Sequence, residues 1–145
     1  MKIRVYLDNC CFNRPFDVPI TPLVRLEAEA KMYVQRQILH ENIELAWSFI
    51  LDHESADNPY EDRKKAIVLW KSRAVVDIGD EEEVLRRALF IAKNGIKSMD
   101  ALHVACAIQA QCHYFLTTDR KILNKQIDGI TLLNPMDYIR IEGER

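Results

Sequence analysis

Glycine and proline are scarce, four and five among 145 residues, which excludes collagen-like, low-complexity and long disordered segments. Charge of one sign is also missing, since 20 basic and 22 acidic side chains leave a formal charge of −2. A protein that coats nucleic acid by bulk charge needs a basic excess, so only a local basic patch stays open. No apolar run approaches the roughly 18 residues of a membrane-spanning helix. The four cysteines (Cys10, Cys11, Cys106, Cys112) contain no C-x-x-C pair, which removes zinc-ribbon and thioredoxin-type chemistry. A bridge between adjacent Cys10 and Cys11 would be strained, and Cys112-His113 beside Cys106 fits no standard metal spacing. Buried or half-buried thiols in a reducing compartment are the simpler reading. Neither G-x-x-x-x-G-K nor G-x-G-x-x-G occurs, so no glycine loop cradles a nucleotide.

What the chain does have is 48% apolar and 29% charged residues, the balance of a globular protein able to bury one core. Its length fits a single domain over 1–145. Arg4 interrupts a short apolar N-terminal stretch that reads as a strand rather than a secretory leader, so a cytoplasmic protein with no membrane partner is expected.

Strand and helix alternate along the chain. Ile3–Leu7 reads as a strand closed by Asp8-Asn9, and the prolines of 13–19 mark a loop. Thr21-Pro22 is an N-cap followed by a proline whose missing N–H costs nothing. Leu23, Leu26, Ala30, Tyr33, Val34 and Ile38 then recur at helical spacing to about Leu39. The apolar run Glu44–Leu51 reads as a strand covered on both faces. A helix around Ala66–Trp70 and a strand over Val75–Ile78 follow. Asp80 and Glu83 form a capping-box pattern before a helix that ends at Gly95, and Ser98 starts another helix. His113–Thr117 is a fourth strand, Arg120–Leu123 a helical turn and Ile130–Leu133 a fifth strand. This order predicts an α/β fold: a three-layer α/β/α sandwich with a central parallel sheet of about four or five strands.

Sites in such sheets form beyond the carboxyl ends of the strands. Asp8 closes the first strand, Asp52 and Glu54 follow the second, and Asp119 closes the fourth after Thr117-Thr118. Asp100 falls in the first turn of the Ser98 helix, where free N–H groups favour an anion. Acids gathered at one edge repel one another unless a cation joins them. Hard oxygen ligands without a His/Cys set point to Mg²⁺ or Mn²⁺. Such an ion activates water and offsets charge on a phosphoryl oxygen, which makes phosphodiester hydrolysis the indicated reaction class. Each acid singly also reads as a turn former or helix-start residue.

Four segments carry a family resemblance. They are the N-terminal strand ending in Asp8, Ser48-Phe49-Ile50-Leu51-Asp52-His53-Glu54, Lys97-Ser98-Met99-Asp100-Ala101-Leu102-His103-Val104-Ala105, and Tyr114-Phe115-Leu116-Thr117-Thr118-Asp119. Over essentially its whole length the chain resembles the PIN-domain family, the metal-dependent ribonuclease fold that includes the toxins of VapBC toxin–antitoxin pairs. The resemblance implies an endoribonuclease using Mg²⁺ or Mn²⁺, with Asp8, Asp100 and Asp119 holding one or two ions. Glu54 orients the attacking water or the ion, with Asp52 the alternative for that role. Thr117 supports the site by hydrogen bonding, and Asn9 is a weaker neighbour. It also implies an RNA substrate, a homodimer and an antitoxin partner. The other reading is a non-catalytic PIN-like module that binds RNA or protein in a regulatory role. Two departures from common members stand out: Cys10-Cys11 continues directly after Asp8, and Arg120-Lys121 replaces a further acid after Asp119.

A nuclease must also hold a polyanion. Lys97, Arg120 and Lys121, with Lys125, lie near the acids in sequence, and Arg14 follows Asp8 in the loop; such contacts position a strand without reading its sequence. His103, one helical turn after Asp100, reads first as a core histidine and second as a partner of the acids. Trp47 and Trp70 lie in apolar stretches and read as core.

Overall fold

The computed structural model of the chain describes residues 2–12 and 21–143; the loop expected over 13–19, with its candidate phosphate contact Arg14, lies outside the described residues. Five strands, β1 (Arg4–Leu7), β2 (Glu44–Ser48), β3 (Ala74–Ile78), β4 (Tyr114–Leu116) and β5 (Thr131–Leu133), form one parallel sheet in the order β3-β2-β1-β4-β5. Among the described residues, seven helices flank it: α1 (Pro22–Leu39), α2 (Phe49–Ala56), α3 (Glu61–Lys71), α4 (Glu82–Ala92), α5 (Ser98–Gln109), α6 (Arg120–Leu123) and α7 (Pro135–Glu142). The α/β architecture expected from the alternation is present.

A parallel sheet with covered faces needs strands that are apolar throughout. Val5, Tyr6, Leu7, Leu45, Ala46, Trp47, Phe115 and Leu116 accordingly carry the core, all of them 1% exposed or less. Edge strand β3 instead alternates partly buried and exposed residues. The chain steps outward from β1 through β2 to β3, then crosses back to β4 and β5 on the other side of β1. This reversal makes the carboxyl ends of β1 and β4 the place for a crevice. Leu7 pairs with Leu116, the Asp8 N–H donates to the Leu116 carbonyl at 2.9 Å, and Asp8 and Thr117 therefore emerge side by side.

Several local expectations need correction. The apolar run from Glu44 ends as a strand at Ser48, whose hydroxyl accepts from the Leu51 N–H at 3.4 Å and caps α2. Ile50 and Leu51 are buried on that helix, and a short apolar run has no period that separates strand from buried helix. Asp80 makes no cap: α4 is preceded by Glu81, with no side-chain cap bond. That helix ends at Ala92 with Lys93 as its cap, and Gly95 lies beyond it at φ +88°, a left-handed turn that suits glycine. The fourth and fifth strands are shorter than expected, by two residues and one residue. Helix α7 was not anticipated, although Asn134-Pro135 repeats the Thr21-Pro22 start signal, with Asn134 Oδ1 accepting from the Met136 N–H at 2.9 Å. Leu23 and Leu26 are exposed; α1 buries Ala28, Ala30, Val34, Gln35 and Ile38 instead.

Candidate active site

Asp8 is fixed on both carboxylate oxygens. Its Oδ1 accepts from the Asn9 N–H at 2.8 Å, and its Oδ2 accepts from the Thr117 hydroxyl at 2.7 Å. Thr117 is fully buried, and its oxygen in turn accepts from the Asp119 N–H at 3.1 Å. One hydroxyl thus ties the end of β1 to the residue after β4 and sets the backbone of the second acid. Asp119 caps α6, with Oδ1 accepting from the Lys121 N–H at 2.9 Å.

The paired cysteines form the 3₁₀ turn Asn9–Cys11 that follows Asp8. Cys11 is buried; its thiol donates to the Leu116 carbonyl at 3.4 Å, and its own carbonyl accepts from Gln35 Nε2 of α1 at 2.9 Å. Cys10 is half-buried, and its hydrogen bond with the Cys11 thiol is the main cause that brings its pKa down to about 7.

Asp100 enters from α5 and Glu54 from α2. Burial raises the pKa of Asp100, and the charges of Asp8, Asp119 and Glu54 raise it further, with His103 acting in the opposite direction. Asp8, Asp119 and Glu54, from three other chain segments, thus each disfavour the ionised form of Asp100. Asp52 is not among them: it accepts from Trp47 Nε1 at 2.9 Å and from Lys71 Nζ at 3.1 Å, and lies exposed beside α3. Glu54 instead bonds through Oε1 to Nε2 of His103. Sequence reasoning placed His103 in the core; it is buried, and it also holds an acid. The available signals were its place three residues after Asp100 on one helix, and Tyr6 sharing a strand face with Asp8.

Among the described residues, no three Asp, Glu, His or Cys side chains are grouped so that they could hold a metal ion together. Mg²⁺ does not require such a group, because it keeps several waters and binds through one or two carboxylates together with phosphate oxygens. The groups available are carboxylates, plus the Asn9 side-chain oxygen, which is buried without a hydrogen-bond partner. A hard divalent ion fits that donor set and would offset the repulsion that raises Asp100. Of the cations read as phosphate contacts, Lys97 caps α5, whereas Arg120 and Lys121 open α6 beside Asp119; all three are exposed.

The sequence profile of a family described as PIN domain matches residues 6–127. No curated protein matches the chain. Among solved structures, VapBC2 from Rickettsia felis bound to a DNA fragment from their promoter superposes with a TM-score of 0.59. The identity is 16%, over 91% of this chain and 98% of the matched one, so the likeness speaks for the fold.

Proposed function

Since the chain belongs to the PIN domain family, we propose that it is a divalent-metal-dependent endoribonuclease, a single PIN-like domain acting as the toxin of a toxin–antitoxin pair. The observation that carries this reading is the placing of Asp8 at the end of β1, where the Thr117 hydroxyl ties it to the backbone of Asp119 at the switch point of the sheet. A bound Mg²⁺ or Mn²⁺ supplies water activation and charge neutralisation at the phosphoryl group. Asp8, Asp100 and Asp119 would supply carboxylates to the ion, while Thr117 and the Asn9 N–H keep the Asp8 carboxylate from rotating. Glu54, held by His103, accepts a hydrogen bond from the attacking water and orients it in line with the leaving oxygen. Lys97, Arg120 and Lys121 meet the flanking phosphates.

The same reading includes partners. Leu26 on α1 and Leu69 on α3 are 55% and 70% exposed, apolar surface that an antitoxin or a second copy of the chain would cover. No helix among the described residues is long and apolar enough to cross a membrane. The soluble, cytoplasmic setting of an RNA-cutting toxin is part of the proposal.

The choice between Asp52 and Glu54 tests the reading directly. Asp52→Asn keeps an acceptor for Trp47 and loses only an exposed ion pair, so RNA cleavage stays within about twofold of wild type and stability changes by less than about 1 kcal/mol. Glu54→Gln lowers the cleavage rate by about 10²-fold or more, on the scale of losing one general acid–base group. Rate constants on one labelled RNA measure both, and the reverse pattern would assign the role to Asp52.

A further inference from the structure

Beneath the acids runs a line of buried polar side chains. His103, 1% exposed, bonds through Nε2 to Glu54 Oε1, and its Nδ1 lies 2.7 Å from the Tyr6 hydroxyl. Tyr6 is fully buried, and its hydroxyl lies 2.6 Å from Ser48 Oγ, which caps α2. Buried polar groups persist where each finds a partner. One proton arrangement satisfies all of them with a neutral imidazole: Ser48 donates to Tyr6, Tyr6 donates to Nδ1, and Nε2–H donates to Glu54. Phe115 stacks on Tyr6 at 5.4 Å with ring planes 10° apart, which fixes where the phenol points.

The line starts and ends on one helix. Ser48 caps α2 and Glu54 sits near its other end, while His103 belongs to α5 and Tyr6 to β1. The two middle residues therefore clamp α2 against the strand that presents Asp8 and the helix that presents Asp100. We propose that His103 is a positioning residue for the cleavage reaction. It holds the Glu54 carboxylate by Oε1, leaves Oε2 to the reacting water, and fixes that carboxylate in register with Asp8 and Asp100. The inference rests on the nuclease reading above and adds to it a residue outside the acid set.

The amide of glutamine places an N–H near the position of Nε2, whereas the shorter asparagine reaches only the Nδ1 side. His103→Gln therefore keeps the hold on Glu54, and His103→Asn keeps only the contact with Tyr6. With the folded variants and labelled single-stranded RNA, His103→Asn is expected to lower kcat by about 10- to 100-fold at nearly unchanged KM, and His103→Gln to recover to within about fivefold of wild type. In a Glu54→Gln background, adding His103→Asn should cost less than about twofold more, because the residue it positions is already disabled. Equal losses in the two His103 variants, or a full loss persisting in the Glu54→Gln background, would overturn the proposal. If His103→Asn does not fold, Tyr6→Phe replaces it, and an unchanged kcat there counts against the line. Imidazole nitrogen NMR reads the hold without any cleavage: one tautomer protonated at Nε2 is expected in the wild type, with its signal displaced by Glu54→Gln. A ring protonated at Nδ1, or two exchanging tautomers, contradicts the proposal. A wild type that cuts no RNA defeats the nuclease reading, and the NMR result then decides the hold by itself.

Discussion

Asp100→Asn is expected to abolish RNA cleavage, by roughly 10³-fold or more, because acids that act as one unit lose most of their effect when any member is removed. The variant should fold at least as well as the wild type. Burial, and then the charges of Asp8 and Asp119, raise the Asp100 pKa above its ordinary value, so folding disfavours its ionised form. That penalty is fully present above the folded pKa and fades as pH falls through the folded value toward the ordinary carboxyl range. Asparagine keeps the shape and removes the charge. Thermal melts should therefore give the variant an equal or higher Tm at pH 7, with the difference narrowing as the solution is acidified. A variant that cuts at the wild-type rate would sink the assignment of Asp100. A folded-state Tm several degrees lower at pH 7 would make it a structural residue instead.

The second large effect lies in the core. Phe115→Ala should destabilise the protein by about 3–5 kcal/mol, the usual cost of deleting a buried aromatic ring. Phe115 is fully buried on β4, between β1 and β5, and stacks on Tyr6. Neighbouring strands cannot collapse into the gap without losing their ladders, so most of the cavity should remain. Tyr6 would also lose the face that orients its hydroxyl toward His103 and Ser48. For a chain of this size the loss corresponds to a fall in Tm of about 6–20 °C. Denaturant titration measures it, and Phe115→Leu should recover roughly half of the loss by refilling volume. A loss below about 1 kcal/mol would show that the sheet closes around the gap.

The parts of the fold legible in the sequence are those with a strong period or an unambiguous stop. Thr21-Pro22 starts α1 where a hydroxyl cap and a proline require it, and Thr21 Oγ1 accepts from the Val24 N–H at 3.2 Å. β1, β2 and β4 are apolar because both faces of a parallel sheet are covered. The junction at Ser48 was not legible: strand and buried helix share one apolar run, and only tertiary packing decides where one becomes the other. Leu23 and Leu26 follow helical spacing yet face solvent, because periodicity locates an apolar stripe without saying whether this chain covers it. At the site, Asp8 is legible because it closes β1, whereas Asp119 stands three residues beyond β4 and caps α6. Between Asp52 and Glu54, which both follow β2, family likeness favoured Glu54, and in the structure they differ in their partners, Lys71 and His103. The role of Thr117 came from family likeness, while its two hydrogen bonds follow from the adjacent exits of β1 and β4.

The central claim is that these four acids form one metal-assisted hydrolytic site for RNA. Incubating the wild-type protein with a mixed pool of labelled single-stranded RNAs and Mn²⁺, beside a sample with excess EDTA, tests it most directly. The account predicts discrete internal cleavage products with Mn²⁺ and intact RNA with EDTA. Cleavage that continues in EDTA would contradict the metal-assisted site. RNA left intact in Mn²⁺, with the protein folded and binding the pool, would contradict the nuclease and leave a PIN-family module that binds without cutting.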